Sequence, residues 1–422
     1  METTSKSSSI SSSLLNLPGI ARFREKTGRV LRGFTQWDLS LRGVDPVLLF
    51  TVLALLSFGL LMVYSSSFVY AQEKTGDGLT FIRKQLGFAF MGLLGMFGVS
   101  RIPHRRWADW GYPLLGVSLF LLLLVLIPGV GAKVLGARRW IRLGGVNFQP
   151  AELAKVAMVI FVAKQLERKR HALERFGPGV LAHFLVPAPL FVLLLLQPDF
   201  GSTAMTVLTL FLLLFLAGVP KRFLLATTLP ALFGAAGLIL GSEYRRNRVL
   251  AFLDPWSDPG GKGFQILQSF VGLHNGGIFG VGLGNGKEKL FYLPEAHNDF
   301  IFSVIGEELG LLGIIGLVLV FGLFIHRGLK IGWDCWQKES DLFGFLLASG
   351  LSLLLGLQAL VNMAVVLGLL PTKGLALPFV SYGGSALLVD LLAVGILLSI
   401  SRQGRGPVLL SGAADSRSRV RG

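Results

Sequence analysis

A single cysteine, Cys335, stands in the 422 residues, so no intrachain disulfide can form. The six histidines show no metal-ligand spacing with it or with one another, and no metal ligand set is assigned. Charged residues are also scarce, 15% against 52% hydrophobic, with mean hydropathy +0.65. Soluble domains carry about 25% charged residues, so composition excludes that class. The chain has no Walker-type phosphate loop and no Ser–His–Asp order. No cleavable signal peptide is visible; the first apolar run should act as an uncleaved anchor.

What the chain has instead is apolar runs able to cross ~30 Å of hydrocarbon. Ten are expected, near 46–68, 84–100, 111–130, 150–166, 180–197, 199–218, 222–241, 300–325, 342–369 and 375–400. Backbone polar groups in lipid must be satisfied inside helices. The expected fold is therefore an all-α membrane protein of about ten transmembrane helices. Its long ordered outer loop, 242–299, joins helices seven and eight. A basic cytoplasmic tail (1–45) precedes the polytopic domain (46–401), and a second cytoplasmic tail (402–422) follows.

The net charge of +16 might point to nucleic acid, but its distribution points elsewhere. Most Lys and Arg fall in the tails and in alternate loops, as at Arg101/Arg105/Arg106 and Lys164–Arg170. This is the positive-inside pattern, with both termini cytoplasmic and no nucleic-acid partner.

Several cations nevertheless lie on the outer side. The stretch 136–155 carries Arg138, Arg139, Trp140 and Arg142, then Pro150 and Glu152 opening a helix, with Lys155 one turn inside it. The long loop adds Arg245, Arg246 and Arg248, and the last outer loop adds Lys373, followed by Ser381. Guanidinium forks match phosphate oxygens, while Trp140 also suits an interfacial belt. Glu152 and Lys155 are spaced for an ion pair on one helix face. Small residues from Ser381 to Ser385 suit either exposed backbone N–H groups facing an anion or close helix packing. Gly280-Val-Gly-Leu-Gly284 weakly resembles a phosphate loop, and flexible backbone packing explains it equally well. Asp199, in a tight turn, reads as a helix cap.

The organising stretch is Lys289–Ser303, running into Gly306-Glu-Glu-Leu-Gly310. Asp299 is its one acid where polar loop meets apolar helix. A carboxylate there can be a helix cap, or a general base whose pKa is raised by the low-dielectric wall. His297 reads as structural. Glu295 lies four residues before Asp299, and Glu307 and Glu308 lie about two turns deeper, where acids are paired or functional.

Arg139-Trp-Ile with Gln149-Pro-Ala-Glu-Leu-Ala-Lys155 resembles a signature of the SEDS family (shape, elongation, division and sporulation proteins). So do Gln197-Pro-Asp-Phe-Gly201, Leu293–Phe302, Gly306–Gly310 and Pro378–Ser385. Leu370–Gly374 and Pro294–His297 are similar to the division branch more than to the elongation branch. The resemblance implies a peptidoglycan glycosyltransferase of the bacterial inner membrane that polymerises lipid II at the division septum. It makes Asp299 the general base and gives Arg139, Lys155 and Lys373 the pyrophosphate. Trp140, Arg245, Arg248 and Ser381 join the substrate side, with Glu152, Glu295, His297, Glu307 and Glu308 in support. A divalent cation, Mg or Mn, could share the work. The implied partners are a class B penicillin-binding protein, a transpeptidase, and other divisome membrane proteins. A lipid II flippase or a non-catalytic divisome scaffold are the competing readings.

Overall fold

The computed structural model describes residues 43–134, 137–143 and 146–403. The two expected tails, with Arg22, Arg24 and Lys26, lie almost wholly outside these.

Ten helices form the bundle among the described residues. They are α1 (Pro46–Thr75), α2 (Thr80–Val99), α3 (His104–Leu126), α4 (Pro150–Arg168), α5 (Gly177–Leu196), α6 (Phe200–Leu216), α7 (Lys221–Leu240), α10 (Ile301–Glu339), α11 (Leu342–Val366) and α12 (Gly384–Gln403). Between them lie α8 (Glu243–Leu253) and α9 (Phe264–Gly276). Seven of the ten are long and apolar enough to cross a membrane by length and composition alone. The other three are α6, which is shorter, α2, which carries Arg83 and Lys84, and α4, which carries Glu152, Lys155, Lys164 and Glu167.

Local chemistry starts these helices where the sequence says it should. The Asp45 carboxylate accepts the Leu48 N–H at 2.9 Å, and Pro46 takes the first helical position. Asp199 accepts the Ser202 N–H at 3.0 Å, so its reading as a cap holds. Asp341 does the same for Gly344 at 2.9 Å.

α4, α11 and α12 form the centre; every residue from Val156 to Ala163 is buried. By contrast, no residue of α7 is buried. Such an all-round apolar surface suits lipid or another chain, not water.

Three departures from the sequence reading matter. First, 131–148 is not an irregular loop. It folds into β1 (Gly131–Val134), β2 (Ala137–Leu143) and β3 (Val146–Phe148), antiparallel in the order β1-β2-β3. Ala132 pairs with Trp140, and Ile141 with Phe148. A ribbon satisfies its own backbone groups and holds its arginines at fixed register.

Second, the last helix begins at Gly384, not near 375, so residues 375–383 form an extended loop.

Third, α10 is broken at Gly310, where φ is 66° and ψ −164°. The glycine run plugs the break. Val281 and Gly282 N–H groups donate to the Glu307 and Glu308 carbonyls at 3.0 Å each. Leu311 and Leu312 donate back to Gly277 and Ile278 at 2.9 and 3.2 Å. A Cβ on Gly280 would lie 2.2 Å from the Glu308 carbonyl oxygen. The glycines are there for close backbone approach, which removes the phosphate-loop reading.

At the end of the bundle opposite the 242–299 loop, α3, α4 and the start of α11 are tied by charge. His104 Nε2 lies 2.6 Å from Asp341, and Arg105 bridges Asp341 at 2.7 Å and Glu167 at 2.6 Å. Cys335 lies buried inside α10 here. Its sulfur and ligand atoms of His104 and Asp341 all lie within 4.8 Å of one another. The Asp341 carboxylate is already occupied by Arg105, His104 and the Gly344 N–H, the bonding of a structural clasp.

Candidate active site

Asp299 sits just before α10, but it does not cap that helix. The N-cap residue is Phe300, and no side chain caps the end. The Asp299 backbone carbonyl accepts from Asn362 Nδ2 at 2.8 Å, and the same amide nitrogen reaches the Leu375 carbonyl at 2.6 Å. Asn362 thus joins the approach to α10 to the loop after α11. Across that junction a Cβ on Gly374 would meet Asp299 Oδ2 at 3.1 Å. The carboxylate itself has no hydrogen bond or ion pair among the described residues.

Burial pushes the Asp299 pKa up to about 7, with the Glu295 charge adding to the rise and Arg248 and Arg139 opposing it. Desolvation disfavours the ionised form, and a like charge does so again. Glu295 is held in the left-handed region, φ 57°, and its carboxylate accepts from Asn298 Nδ2.

Four cations from three elements gather at this rim, and the charges of two of them, Arg248 and Arg139, act on Asp299. Arg139 on β2 donates from Nε to the Gln197 carbonyl at 3.2 Å and from Nη2 to the Pro198 carbonyl. Arg248 on α8 donates to the Thr372 carbonyl at 3.0 Å. Lys373 and Arg245 lie over the Phe200 ring, 5.4 and 5.8 Å from its centre. The turn at 197–200 and the loop at 372–374 therefore gather all four. Arg139, Arg245 and Lys373 make no ion pair among the described residues. Burial lowers the Lys373 pKa. Half-buried cations held by carbonyl oxygens and a ring keep their charge unspent.

The remaining candidates sit elsewhere. Lys155, expected among the pyrophosphate cations, is buried. Its ammonium lies 2.8 Å from Glu152 and 2.6 Å from Gln358 Oε1. Gln358 Nε2 in turn donates to Ala376 at 3.1 Å, so the pair braces the 374–377 loop from below. The Lys155 ammonium is thus enclosed by Glu152 and Gln358 instead of standing with the rim cations. The Ser381 N–H donates to the Leu377 carbonyl at 2.9 Å. The hydroxyl donates to Asn298 at 2.6 Å and accepts from the Leu377 N–H at 2.8 Å. Trp140 pairs with Ala132 on the ribbon, and Arg139 is the extra residue where the register shifts between Ala132 and Lys133, a bulge that re-aims its side chain.

His297 is buried in a ring cluster, 5.2 Å from Tyr70 and 4.9 Å from Phe81, and burial lowers its pKa. It fits the structural reading. Glu307 accepts N–H groups from Lys287 and Glu288 at 2.8 and 3.2 Å. Glu308 pairs with Lys289 at 2.6 Å and accepts from Ser65 at 2.7 Å. Both acids are spent on the plugged break in α10.

Sequence reasoning passed over Asn362, Gln358 and Phe200. The first two are a polar pair one turn apart on an otherwise apolar helix, a recognised marker of function in membrane helices. Phe200 carried no such signal.

Fold and site together define a multi-pass helical membrane protein with a desolvated acid beside a group of cations at one rim. The chain belongs to the cell cycle protein family that groups FtsW, RodA and SpoVE, whose model matches residues 46–406. A relative in Geobacter sp. (strain M18), named probable peptidoglycan glycosyltransferase FtsW, is 46% identical over 364 residues, 86% of this chain and 98% of the relative. Stage V sporulation protein E of Bacillus subtilis is 40% identical over 361 residues, 86% of this chain and 98% of that protein. Among solved structures, the rod shape determining protein RodA of Thermus thermophilus aligns with TM-score 0.62 and 31% identity, covering 88% of this chain and 99% of that one. A chain solved in work on structural coordination of polymerization and crosslinking by a peptidoglycan synthase complex aligns with TM-score 0.68 and 35% identity, covering 86% and 98%.

Proposed function

We propose that this chain is a peptidoglycan glycosyltransferase that polymerises lipid II for septal wall synthesis. The observation that carries the mechanism is the Asp299 carboxyl, raised to about 7 by burial and flanked by the charges of Arg248 and Arg139. A general base works best with a pKa near the operating pH. Asp299 takes the proton from the acceptor sugar's 4-hydroxyl. That oxygen forms a bond to the donor's anomeric carbon while the bond from that carbon to the pyrophosphate oxygen breaks. The electron pair leaves with undecaprenyl pyrophosphate, and the single displacement inverts the anomeric centre. Arg139, Arg248 and Lys373 hold the charge that develops on the leaving group; Arg245 supports them. Cations fixed beforehand need no reorganisation as the bond breaks. Glu152, Lys155 and Ser381 position the loop, and Glu295 tunes the base.

The site end of the bundle is the outer face in this reading, with both termini cytoplasmic. Its partner is a class B penicillin-binding protein that cross-links the strands, together with other divisome membrane proteins. The acids near the site do not fit a resident Mg or Mn. Asp299 is opposed by two arginines, Glu295 is tied to Asn298, and hard cations want several free oxygens. No step is routed through one.

The flippase reading wants a broken helix with free backbone groups on a substrate path. α10 is broken, but its own glycine run fills the gap.

The test is gel analysis of glycan strands made from lipid II by the purified chain with its transpeptidase partner. Asp299→Asn abolishes strand synthesis while the complex still assembles. Strands at the wild-type rate from that variant would remove the base assignment.

A further inference from the structure

A cavity of about 210 Å³ opens beside the site, between α1 and the chain leading to Asp299. Ser66, Tyr70, Lys289, Phe291, Glu295 and His297 line it. Tyr70 forms its aromatic wall, with ring centres 5.9 Å from Phe291 and 5.2 Å from His297.

Two non-glycine residues of the lining lie in the left-handed region, Phe291 at φ 68° and Glu295 at φ 57°. Such strain concentrates at ligand clamps. Phe291 is strained and yet 47% exposed, so burial of its ring does not account for the conformation.

The charge of the cavity sets its ligand class. The Lys289 ammonium is already neutralised by Glu308 at 2.6 Å and bonded to Ser65 at 3.0 Å. Burial holds His297 towards the neutral form, and Glu295 adds a carboxylate at the rim. A phosphate finds no free cation here. A neutral ring with apolar faces and hydroxyl edges finds aromatic walls and polar groups, the usual make-up of a small-molecule site. The volume is on the scale of one pyranose, not a disaccharide.

The cavity and the cations reach the Asp299 segment from different elements. α1 and residues 289–297 build the first, and β2, α8 and residues 372–374 carry the second. A tight turn separates them from the base, with the Asn298 N–H donating to the Glu295 carbonyl at 2.9 Å. We propose that the cavity is the acceptor subsite, holding one sugar ring of the acceptor so that its hydroxyl meets Asp299. This rests on the glycosyltransferase reading and assigns Tyr70 and Phe291 to acceptor binding.

The test uses the chain with its transpeptidase partner and a soluble probe, the disaccharide N-acetylglucosaminyl-β-1,4-N-acetylmuramic acid, which lacks lipid and pyrophosphate. It inhibits lipid II polymerisation, and Tyr70→Ala raises its inhibition constant about tenfold. Tyr70→Phe restores the wild-type constant. If Tyr70→Ala does not fold, Phe291→Ala reads out the same constant. The subsite is wrong if the disaccharide fails to inhibit an active wild type, or if the constant ignores both rings. A wild type that makes no strands with its partner defeats the glycosyltransferase reading instead.

Discussion

The side-chain amide of Asn362 holds the Asp299 carbonyl at 2.8 Å and the Leu375 carbonyl at 2.6 Å with one nitrogen. A buried residue in the last turns of α11 thus sets the spacing between the base and the loop that carries Lys373. Asn362→Leu keeps the size of the side chain and removes both bonds. Misplacing reacting groups by about 1 Å costs roughly 100-fold. The variant should lose kcat on that scale with KM nearly unchanged, in a lipid II turnover assay. A loss confined to KM would mean that Asn362 serves binding only.

The acid limb of the pH–rate profile should report Asp299. A base works when ionised, so activity falls as pH drops through about 7. Glu295→Gln removes a negative charge that helps keep the proton on, so the limb should move to lower pH. Arg248→Gln removes an opposing positive charge and should move it to higher pH. Shifts of the same sign in both variants would separate the limb from Asp299.

Loss of a preorganised charge that stabilises a transition state typically costs about 10²–10³ in kcat. Arg139→Ala and Lys373→Ala should each approach that range in kcat/KM for lipid II. Arg139→Lys should recover little, because the guanidinium fork reaches two carbonyls, those of Gln197 and Pro198, at once. Full activity in Arg139→Lys would show that charge alone suffices.

Lys155 faces Glu152 at 2.8 Å, with Asp390 buried beside the pair. Removing one member of a buried ion pair costs about 3–5 kcal/mol. Lys155→Met leaves two acids facing each other and should lower the melting temperature in detergent most. Asp390→Asn, which leaves the ion pair intact, should be the mildest, and Glu152→Gln should lie between. An inverted order would point to Asp390 as the lysine's main partner.

Gly310→Ala tests the plugged break. Its Cβ would sit 2.4 Å from the Gly280 nitrogen and 2.5 Å from the Ile278 carbonyl oxygen, at a backbone conformation reserved for glycine. The variant should unfold early in detergent, by more than the ~1 kcal/mol of a typical substitution. Wild-type melting would mean that the break relaxes without the glycine run.

Much of this molecule was legible in one dimension. Spans of apolar residues, the Pro150 start, the Asp199 cap and the Glu152–Lys155 spacing are local properties, set by hydropathy and by the few bonds a helix end requires. The ribbon at 131–148 also had a local signal, Gly144-Gly145 between two short runs, hidden among arginines that drew attention to charge. Asp299 was visible as an acid at a hydrocarbon edge, yet cap and base were both open until Phe300 proved to be the N-cap. The resemblance gave Lys155 and Lys373 the same role, although only Lys155 has an acid three residues away in the sequence. Packing separates them further, because one is enclosed by Glu152 and Gln358 and the other lies over Phe200 with no acid paired to it among the described residues. The chain determined the bundle by itself, since each helix answers to its own residues. Which charges meet Asp299 was decided by tertiary structure, because partners from β2, α8 and the 372–374 loop come together only when the helices between them have packed.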